Sequence, residues 1–201
     1  ANLSPVMLQI WSANYNRAVL GDSVWNNSVQ YNSPNLAGLR ASATYALGEV
    51  ANEAGVSNLN VTLNYDNGPF AAVASAQQAE TGPGFTTAIT KQDAQMIGLS
   101  YDFNIVKLFG QYFHTDTPDI RTTTRTAQLG FSVPVGPGRI MATVARTERD
   151  AANVDSARTT TGLGYDHYLS KRTDLYAVYL LDKLTSYDRQ SSLAFGVRHR
   201  F

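Results

Sequence analysis

Apolar and polar side chains alternate along most of the chain. The pattern is clearest in residues 58–65, NLNVTLNY, where Leu, Val, Leu and Tyr alternate with Asn and Thr. Period-two alternation is typical of a β-strand whose two faces lie in different surroundings. The alternating segments are separated by turn-forming residues. We therefore predict an all-β, antiparallel fold with eleven strands, at 26–33, 38–46, 57–66, 69–78, 94–103, 105–114, 125–134, 139–147, 159–169, 173–183 and 191–201.

The predicted connections alternate between short and long. Short ones include DNGP and SKRT, whereas long ones include QAETGPGFTTAITKQD and carry most of the charged residues. Hairpins with tight turns at one end and polar loops at the other are typical of transmembrane β-barrels. The sequence contains no run of apolar residues long enough for a membrane-spanning helix.

Aromatic residues recur near the strand ends, on the apolar side of the alternation. Next to the short turns they form a predicted lower belt of Tyr31, Tyr65, Tyr101, Phe103, Phe131, Tyr165 and Phe201. Tyr45, Tyr112 and Tyr179 would form an upper belt. A soluble sandwich also shows alternation, but it has no reason to sort its rings by height. Because Tyr and Trp are enriched at membrane–water interfaces, the pattern favours a membrane barrel.

Composition narrows the possible functions. Charged residues make up 16% of the chain, and 16 basic residues balance 16 acidic ones, so no nucleic-acid partner is indicated. Cysteine is absent, which excludes disulfides, Cys-ligated zinc and a thiol nucleophile. We find no HExxH or GxSxG motif. The sequence therefore predicts no catalytic residue, metal site or cofactor.

The polar side of the alternation carries the candidate functional residues. Charged members are Arg40, Lys107, Asp102, Asp166, Arg198 and Arg200, and uncharged members are Asn60, Thr62, Asn64, Gln111, Gln128 and Thr143. Inside a water-filled pore, such charges create a field that sorts ions. Alternatively, the arginines pair with carboxylates and only stabilise the wall. Both interpretations remain open from the sequence alone.

Four segments carry a resemblance to a known family: NNSVQYNSPNLAGLRASATYA, YDNGPF, GLGYDHYLSKRTDLYAVY and the terminal GVRHRF. The chain resembles the trimeric general diffusion porins of betaproteobacteria and Neisseria-type bacteria. That resemblance implies a sixteen-stranded barrel in the outer membrane and a third external loop that folds inward. It also implies a homotrimer, contact with outer-membrane lipid and lipopolysaccharide, and recognition of Phe201 by the barrel-assembly machinery.

Alignment on these motifs divides the chain into two parts. Residues 1–25, which do not alternate, would form part of the inward-folded constriction loop, with Gln9 and Arg17 facing the pore. Residues 26–201 would form the last eleven strands, so we expect the C-terminal portion of a longer protein. The family function is passive diffusion of small hydrophilic solutes and ions, here with a weak preference for anions. An outer-membrane barrel hydrolase and a soluble carbohydrate-binding β-sandwich are the alternatives.

Overall fold

A computed structural model of the chain describes residues 19–20, 25–48, 56–152 and 155–201. Gln9, Arg17 and most of the predicted constriction loop lie outside these residues. The strands are β1 Ser28–Asn32, β2 Leu39–Leu47, β3 Ser57–Asn67, β4 Phe70–Ala79, β5 Gln92–Asp102, β6 Lys107–Thr117, β7 Thr122–Val135, β8 Gly138–Asp150, β9 Ser156–Tyr168, β10 Thr173–Leu184 and β11 Gln190–His199.

The eleven strands form one sheet in chain order, and each strand is antiparallel to its neighbours. The predicted all-β antiparallel fold is thus confirmed. A sandwich would need two packed sheets, whereas this single sheet contains all the described strands. In the described ranges the helical structure is a 3-10 turn at Pro118–Ile120. No helix there is both long enough and apolar enough to cross a membrane.

The sheet has two chemically different faces. On β3, Leu63 points to a face where it is 46% exposed, while Asn58 points to the opposite face and is 3% exposed. The pairing of neighbouring strands shows which other residues lie on the same face as Asn58. Arg40 lies opposite Asn64, and Gln111 lies opposite Gln128. We call this side the polar face and the side of Leu63 the apolar face. The polar face is the more buried, as expected for the inside of a curved sheet.

Glycine followed by proline closes two of the tightest hairpins. Gly68 and Pro69 join β3 to β4, and Gly136 and Pro137 join β7 to β8. Each glycine has a positive φ, 57° and 54°, which side-chain-bearing residues rarely adopt. Proline then fixes a negative φ at the second position, and this combination of signs fits a type II′ hairpin turn. These turns set the register of the flanking strands.

The strands next to the long loops extend further than the sequence predicted. β6 runs to Thr117, β7 starts at Thr122 and β8 runs to Asp150. The alternation predicts that these segments end at 114, begin at 125 and end at 147. The prediction was too short because it required apolar residues on alternate positions. Threonines such as Thr124 continue the ladder with polar side chains on both faces.

Candidate functional site: the polar face

Five charged residues form a connected network on the polar face of β8–β11, close to the short turns. Arg139 Nη2 lies 3.0 Å from Asp166 Oδ2, and Arg198 Nη2 lies 2.8 Å from Asp174 Oδ2. Arg198 also reaches Asp166 at 3.9 Å, and Arg200 reaches Asp174 at 3.8 Å. We call these five residues the arginine–aspartate network. It joins four consecutive strands through side chains.

Both carboxylates of the network are removed from solvent. The side chains of Asp166 and Asp174 are 0% and 2% exposed. A buried carboxylate is costly unless a cation compensates it, and the arginines supply that compensation. Arg139 also lies over the ring of Tyr168, with 6.0 Å from Cζ to the ring centroid. The guanidinium is therefore held on two sides.

The structure places the predicted residues Asp166, Arg198 and Arg200 on the polar face. Their pairing favours the wall-stabilising interpretation for Arg198 in particular. Sequence reasoning missed Arg139 and Asp174. A signal was available for Arg139, because the Gly136–Pro137 turn fixes the pairing of β7 with β8 and so fixes which side chains face inward.

Three other predicted residues lie on the polar face at a distance from the arginine–aspartate network: Arg40 on β2, Asp102 on β5 and Lys107 on β6. Arg40 and Asp66 are 3.9 Å apart, with side chains 55% and 60% exposed. The Lys107 ammonium lies 5.6 Å from the ring centroid of Phe109. Asp102 Oδ1 accepts a hydrogen bond from the backbone N–H of Asn104 at 2.9 Å and so supports the β5–β6 turn. Arg40 thus keeps more solvent contact than the arginines of the network, while Lys107 is half-buried.

A second ion pair lies at the other end of the polar face, near the long loops. Arg158 Nε donates to Asp182 Oδ1 at 2.7 Å, and the Arg158 Nη2 group contacts the second carboxylate oxygen. Thr160 Oγ1 donates to the same Asp182 Oδ1 at 2.9 Å. This two-pronged pair joins β9 to β10 and was not predicted.

Residues 19–20 lie against the polar face. Val19 packs against the cluster of Ala94 and Phe113 on β5 and β6. The backbone N–H of Leu20 donates to Gln92 Oε1 at 2.8 Å. At Gly84 an added Cβ would lie 2.9 Å from Leu20 Cδ2, so the β4–β5 loop also contacts this segment. Residues 19–20, which belong to the segment predicted as the constriction loop, are therefore attached to the polar face.

The predicted lower-belt residues occupy the apolar side of the sheet. Tyr31, Tyr101 and Phe103 are 65%, 41% and 50% exposed. Some rings of this side are paired: Tyr101 and Phe103 have centroids 4.5 Å apart, and His199 and Phe201 have centroids 4.9 Å apart. Tyr65 lies 6.1 Å from Phe70, and Tyr165 lies 6.1 Å from His167. The rings thus lie next to the short turns, where the sequence placed them.

On β7 the apolar face is long enough for a membrane band. On β7 it is apolar from Ala127 to Val135, a distance of about 27 Å at about 3.4 Å per residue. A strand tilt of about 40° would reduce this to a height of about 21 Å, close to the band of about 25 Å found on outer-membrane barrels.

The three histidines, His114, His167 and His199, lie on three different strands, β6, β9 and β11. Tyr165 Oη lies 3.3 Å from His167 Nδ1, and Thr173 Oγ1 lies 2.9 Å from His199 Nδ1. Within the described ranges, no set of three His, Cys, Asp or Glu residues is arranged to hold a metal ion. Nor do those ranges place a carboxylate against any histidine.

Comparison with known proteins identifies the family. A family model described as Gram-negative porin matches residues 4–185. Outer membrane porin protein 32 of Delftia acidovorans is 30% identical over 204 residues, covering 88% of this chain and 56% of the relative. This chain therefore spans little more than half the length of that relative.

Solved structures show the same architecture. An anion-selective porin from Comamonas acidovorans superposes with a TM-score of 0.74 at 29% identity, covering 88% of this chain and 60% of that one. Outer-membrane expressed OmpT of Vibrio cholerae gives a TM-score of 0.73 at 15% identity, covering 90% of this chain and 66% of that one. At that low identity, the second match shows the fold alone.

Proposed function

The chain belongs to the Gram-negative porin family of the outer membrane, and we propose that its protein is a passive channel for small hydrophilic solutes and ions. The observation that carries this proposal is the division of one continuous sheet into two faces. Leu63 and its apolar neighbours suit lipid, whereas Asn64 and its polar neighbours suit water. Diffusion through a wet lumen needs no cofactor and no bond chemistry.

The constriction in this proposal comes from residues 1–25, and residues 26–201 supply the wall as eleven strands of a larger barrel. The packing of Val19 on Ala94 and Phe113 supports an inward position for the end of this segment. Gln9 and Arg17, which precede Val19 in this segment, would then face the pore. A segment held inside a barrel in this way limits the size of the solutes that pass.

A weak preference for anions is part of the proposal. Among the strand residues of the polar face, together with Arg200 just after β11, basic residues outnumber acidic ones. The basic residues are Arg40, Lys107, Arg139, Arg149, Arg158, Arg198 and Arg200. The acidic residues are Asp66, Asp102, Asp166, Asp174 and Asp182. Arg40, Lys107 and Arg149 would contribute most, because the other arginines of this set form ion pairs with carboxylates that are buried or partly buried. The Comamonas relative is described as anion-selective.

The partners proposed for the whole protein follow from its family. Two further copies would complete a homotrimer, and the apolar face would contact outer-membrane lipid and lipopolysaccharide. The lower belt, including Tyr31, Tyr101 and Phe201, would lie at the lipid headgroups, where amphipathic rings are stable. Phe201 would also be read by the barrel-assembly machinery.

Channel activity can be tested with the protein purified in its assembled form from outer membranes. Inserted into a planar lipid bilayer, it should produce stepwise increases in ionic current. A bilayer that stays silent although the protein is shown to be incorporated would contradict the proposal. The hydrolase alternative would need a histidine held between a nucleophile and a carboxylate. His167 Nδ1 and His199 Nδ1 instead contact the hydroxyl groups of Tyr165 and Thr173, and His114 Nδ1 is buried without a hydrogen-bond partner among the described residues.

A further inference from the structure

The polar face contains a depression of about 250 Å³ that begins at β3, crosses β4, β5 and β6, and reaches Gln128, Gly130 and Thr143 on β7 and β8. The part between β3 and β6 arises because small side chains on β4 and β5 lie between larger side chains on β3 and β6. Ala71, Gly98 and Ser100 form its floor on β4 and β5. The floor is low here because none of these side chains extends beyond one heavy atom from Cβ.

Taller side chains rise on both sides of this floor. Asn64 and Asp66 stand on β3, and Phe109 and Gln111 stand on β6. The two walls are separated by three strand spacings, which corresponds to about 14 Å between backbones. Their side chains therefore face each other across a gap of small-molecule width. We call this feature the β3–β6 groove.

Several polar groups of the groove are free to bind a solute. Among the described residues, the side chains of Asn64 and Ser100 have no hydrogen-bond partner. Gln111 Nε2 has only the thioether sulfur of Met96 at 3.5 Å, which leaves its carbonyl oxygen available. The donors and acceptors thus stand on both walls and on the floor.

One wall also offers an aromatic surface. Phe109 is half-buried, lines the groove and has the Lys107 ammonium 5.6 Å from its ring centroid. An aromatic ring surrounded by amide, hydroxyl and carboxylate groups can contact C–H bonds and hydroxyl groups of one molecule at the same time. A ring-shaped polyol presents both kinds of group.

We propose that the β3–β6 groove is a weak binding site for a neutral polyhydroxylated solute of about monosaccharide size. This inference rests on the proposed channel function and adds a preferred class of solute to it. Asp66 accepts hydrogen bonds from the solute's hydroxyl groups, Ser100 donates to them or accepts from them, and Phe109 packs against the ring. The volume of the depression, about 250 Å³, is smaller than the volume of typical ligand pockets, which is about 300–1,000 Å³. Binding is accordingly brief, as passage through a channel requires.

The test measures arabinose influx into proteoliposomes that contain the assembled protein, over a wide range of arabinose concentrations. A binding site in the path makes the flux saturate, whereas free diffusion gives a linear dependence. Alanine, which lacks a polyhydroxylated ring, serves as the control solute and should give a linear flux. Salt conductance of the same preparations is recorded in planar bilayers.

Two variants alter the groove in opposite directions. Gly98→Val fills the floor. The φ of Gly98 is not positive, so the backbone suits a side chain, but an added Cβ would lie 2.9 Å from Val73 Cγ1, so the Val73 side chain has to shift. Phe109→Leu removes the aromatic surface and opens the wall. Both should raise the half-saturating arabinose concentration by about tenfold. Conductance should fall with Gly98→Val and rise with Phe109→Leu.

A merely steric role would make arabinose flux follow conductance, so the two variants would then change it in opposite directions. Phe109→Tyr should retain saturation because the ring is kept. Tyr176→Leu, an aromatic change on the polar face outside the groove, should also retain it. The heat-resistant migration of each variant on gels shows whether it has folded.

The outcomes separate the groove from the channel. Linear arabinose flux in the unaltered protein, or saturation that survives either groove variant in folded form, overturns the binding site. If salt conductance is normal in those experiments, the channel function still stands. If no conductance is found at all, the proposed function itself has failed.

Discussion

Arg139 donates from both Nε and Nη2 to a single oxygen of Asp166, at 3.2 and 3.0 Å, while the carboxylate is wholly buried. The other oxygen of Asp166 has no hydrogen-bond partner. Asp166 therefore depends on Arg139, with Arg198 as a more distant second cation at 3.9 Å. This pair makes the network a structural element of the wall.

Asp166→Asn should destabilise the folded barrel. The change leaves Arg139 and Arg198 partly uncompensated, and loss of one partner of a buried ion pair costs about 3–5 kcal/mol. Urea unfolding in detergent micelles measures the effect. Glu148→Gln is the matched control, because the Arg146–Glu148 pair is exposed at 62% and 49% and should contribute less than about 1 kcal/mol. Equal effects of the two changes would contradict the structural role of Asp166.

Neutralising Arg40 and Lys107 together, as Arg40→Gln with Lys107→Gln, should lower the permeability ratio of anions to cations. Fixed charges act on passing ions within about 8 Å at physiological salt, so the effect should weaken at high salt. The zero-current potential in a salt gradient measures it. Arg146→Gln, on the apolar face, should leave the ratio unchanged, and a change there as large as in the double variant would count against the assignment.

Leu99→Arg should strongly destabilise the protein in lipid. Leu99 is 51% exposed on the apolar face of β5, and arginine at the bilayer midplane costs about 2–4 kcal/mol. Gln95→Arg lies on the same face of the same strand but nearer the long loops, where the cost falls to about 0–1 kcal/mol. Unfolding in liposomes compares them. An equal loss of stability in both variants would contradict the expectation that the cost of arginine on this face depends on its depth in the bilayer.

Asp119 holds the β4–β5 loop to the turn after β6. Its Oδ2 accepts hydrogen bonds from the backbone N–H and Oγ1 of Thr90, at 2.6 and 2.9 Å, and from the N–H of Lys91 at 3.2 Å. The bonds from Thr90 are the main reason why the pKa of Asp119 lies below its ordinary value of 3.8.

A lowered folded-state pKa means that this contribution is fully present above the ordinary value and is lost as the pH falls through the folded-state value. Amide exchange at Thr90 and Lys91, corrected for intrinsic rates, should therefore stay slow down to about pH 4 and accelerate only in stronger acid. Asp119→Asn should accelerate it at neutral pH. Asp116→Asn is the control in the same hairpin, and acceleration there would show that the effect is not specific to Asp119.

Local alternation was sufficient to predict the strands and their faces. The sequence placed Leu59 and Leu63 on one side and Asn60 and Asn64 on the other, and the register confirms this division. Period-two alternation reports such a division because each residue faces opposite to the next. Strand ends beyond the apolar band, such as Thr115–Thr117, carry no apolar residues on alternate positions and were missed.

Side-chain partners could not be predicted in the same way. Asp166 and Arg198 were assigned to the polar face individually, but their contact requires the register of β9, β10 and β11 together. The β3–β6 groove likewise exists only because small residues on β4 and β5 lie between taller residues on β3 and β6, three strand spacings apart. Such relationships depend on residues that are distant in sequence.

The sheet runs in chain order, and the extensive strand contacts are all between successive strands. Within the described residues, the backbone ladders connect each hairpin only to the strands beside it. A hairpin of two adjacent strands can therefore be duplicated or deleted as a unit. Such a change would alter the circumference of the barrel while leaving the remaining strand pairs intact. Diversification of such a protein can proceed hairpin by hairpin, with each external loop free to change without refitting the others.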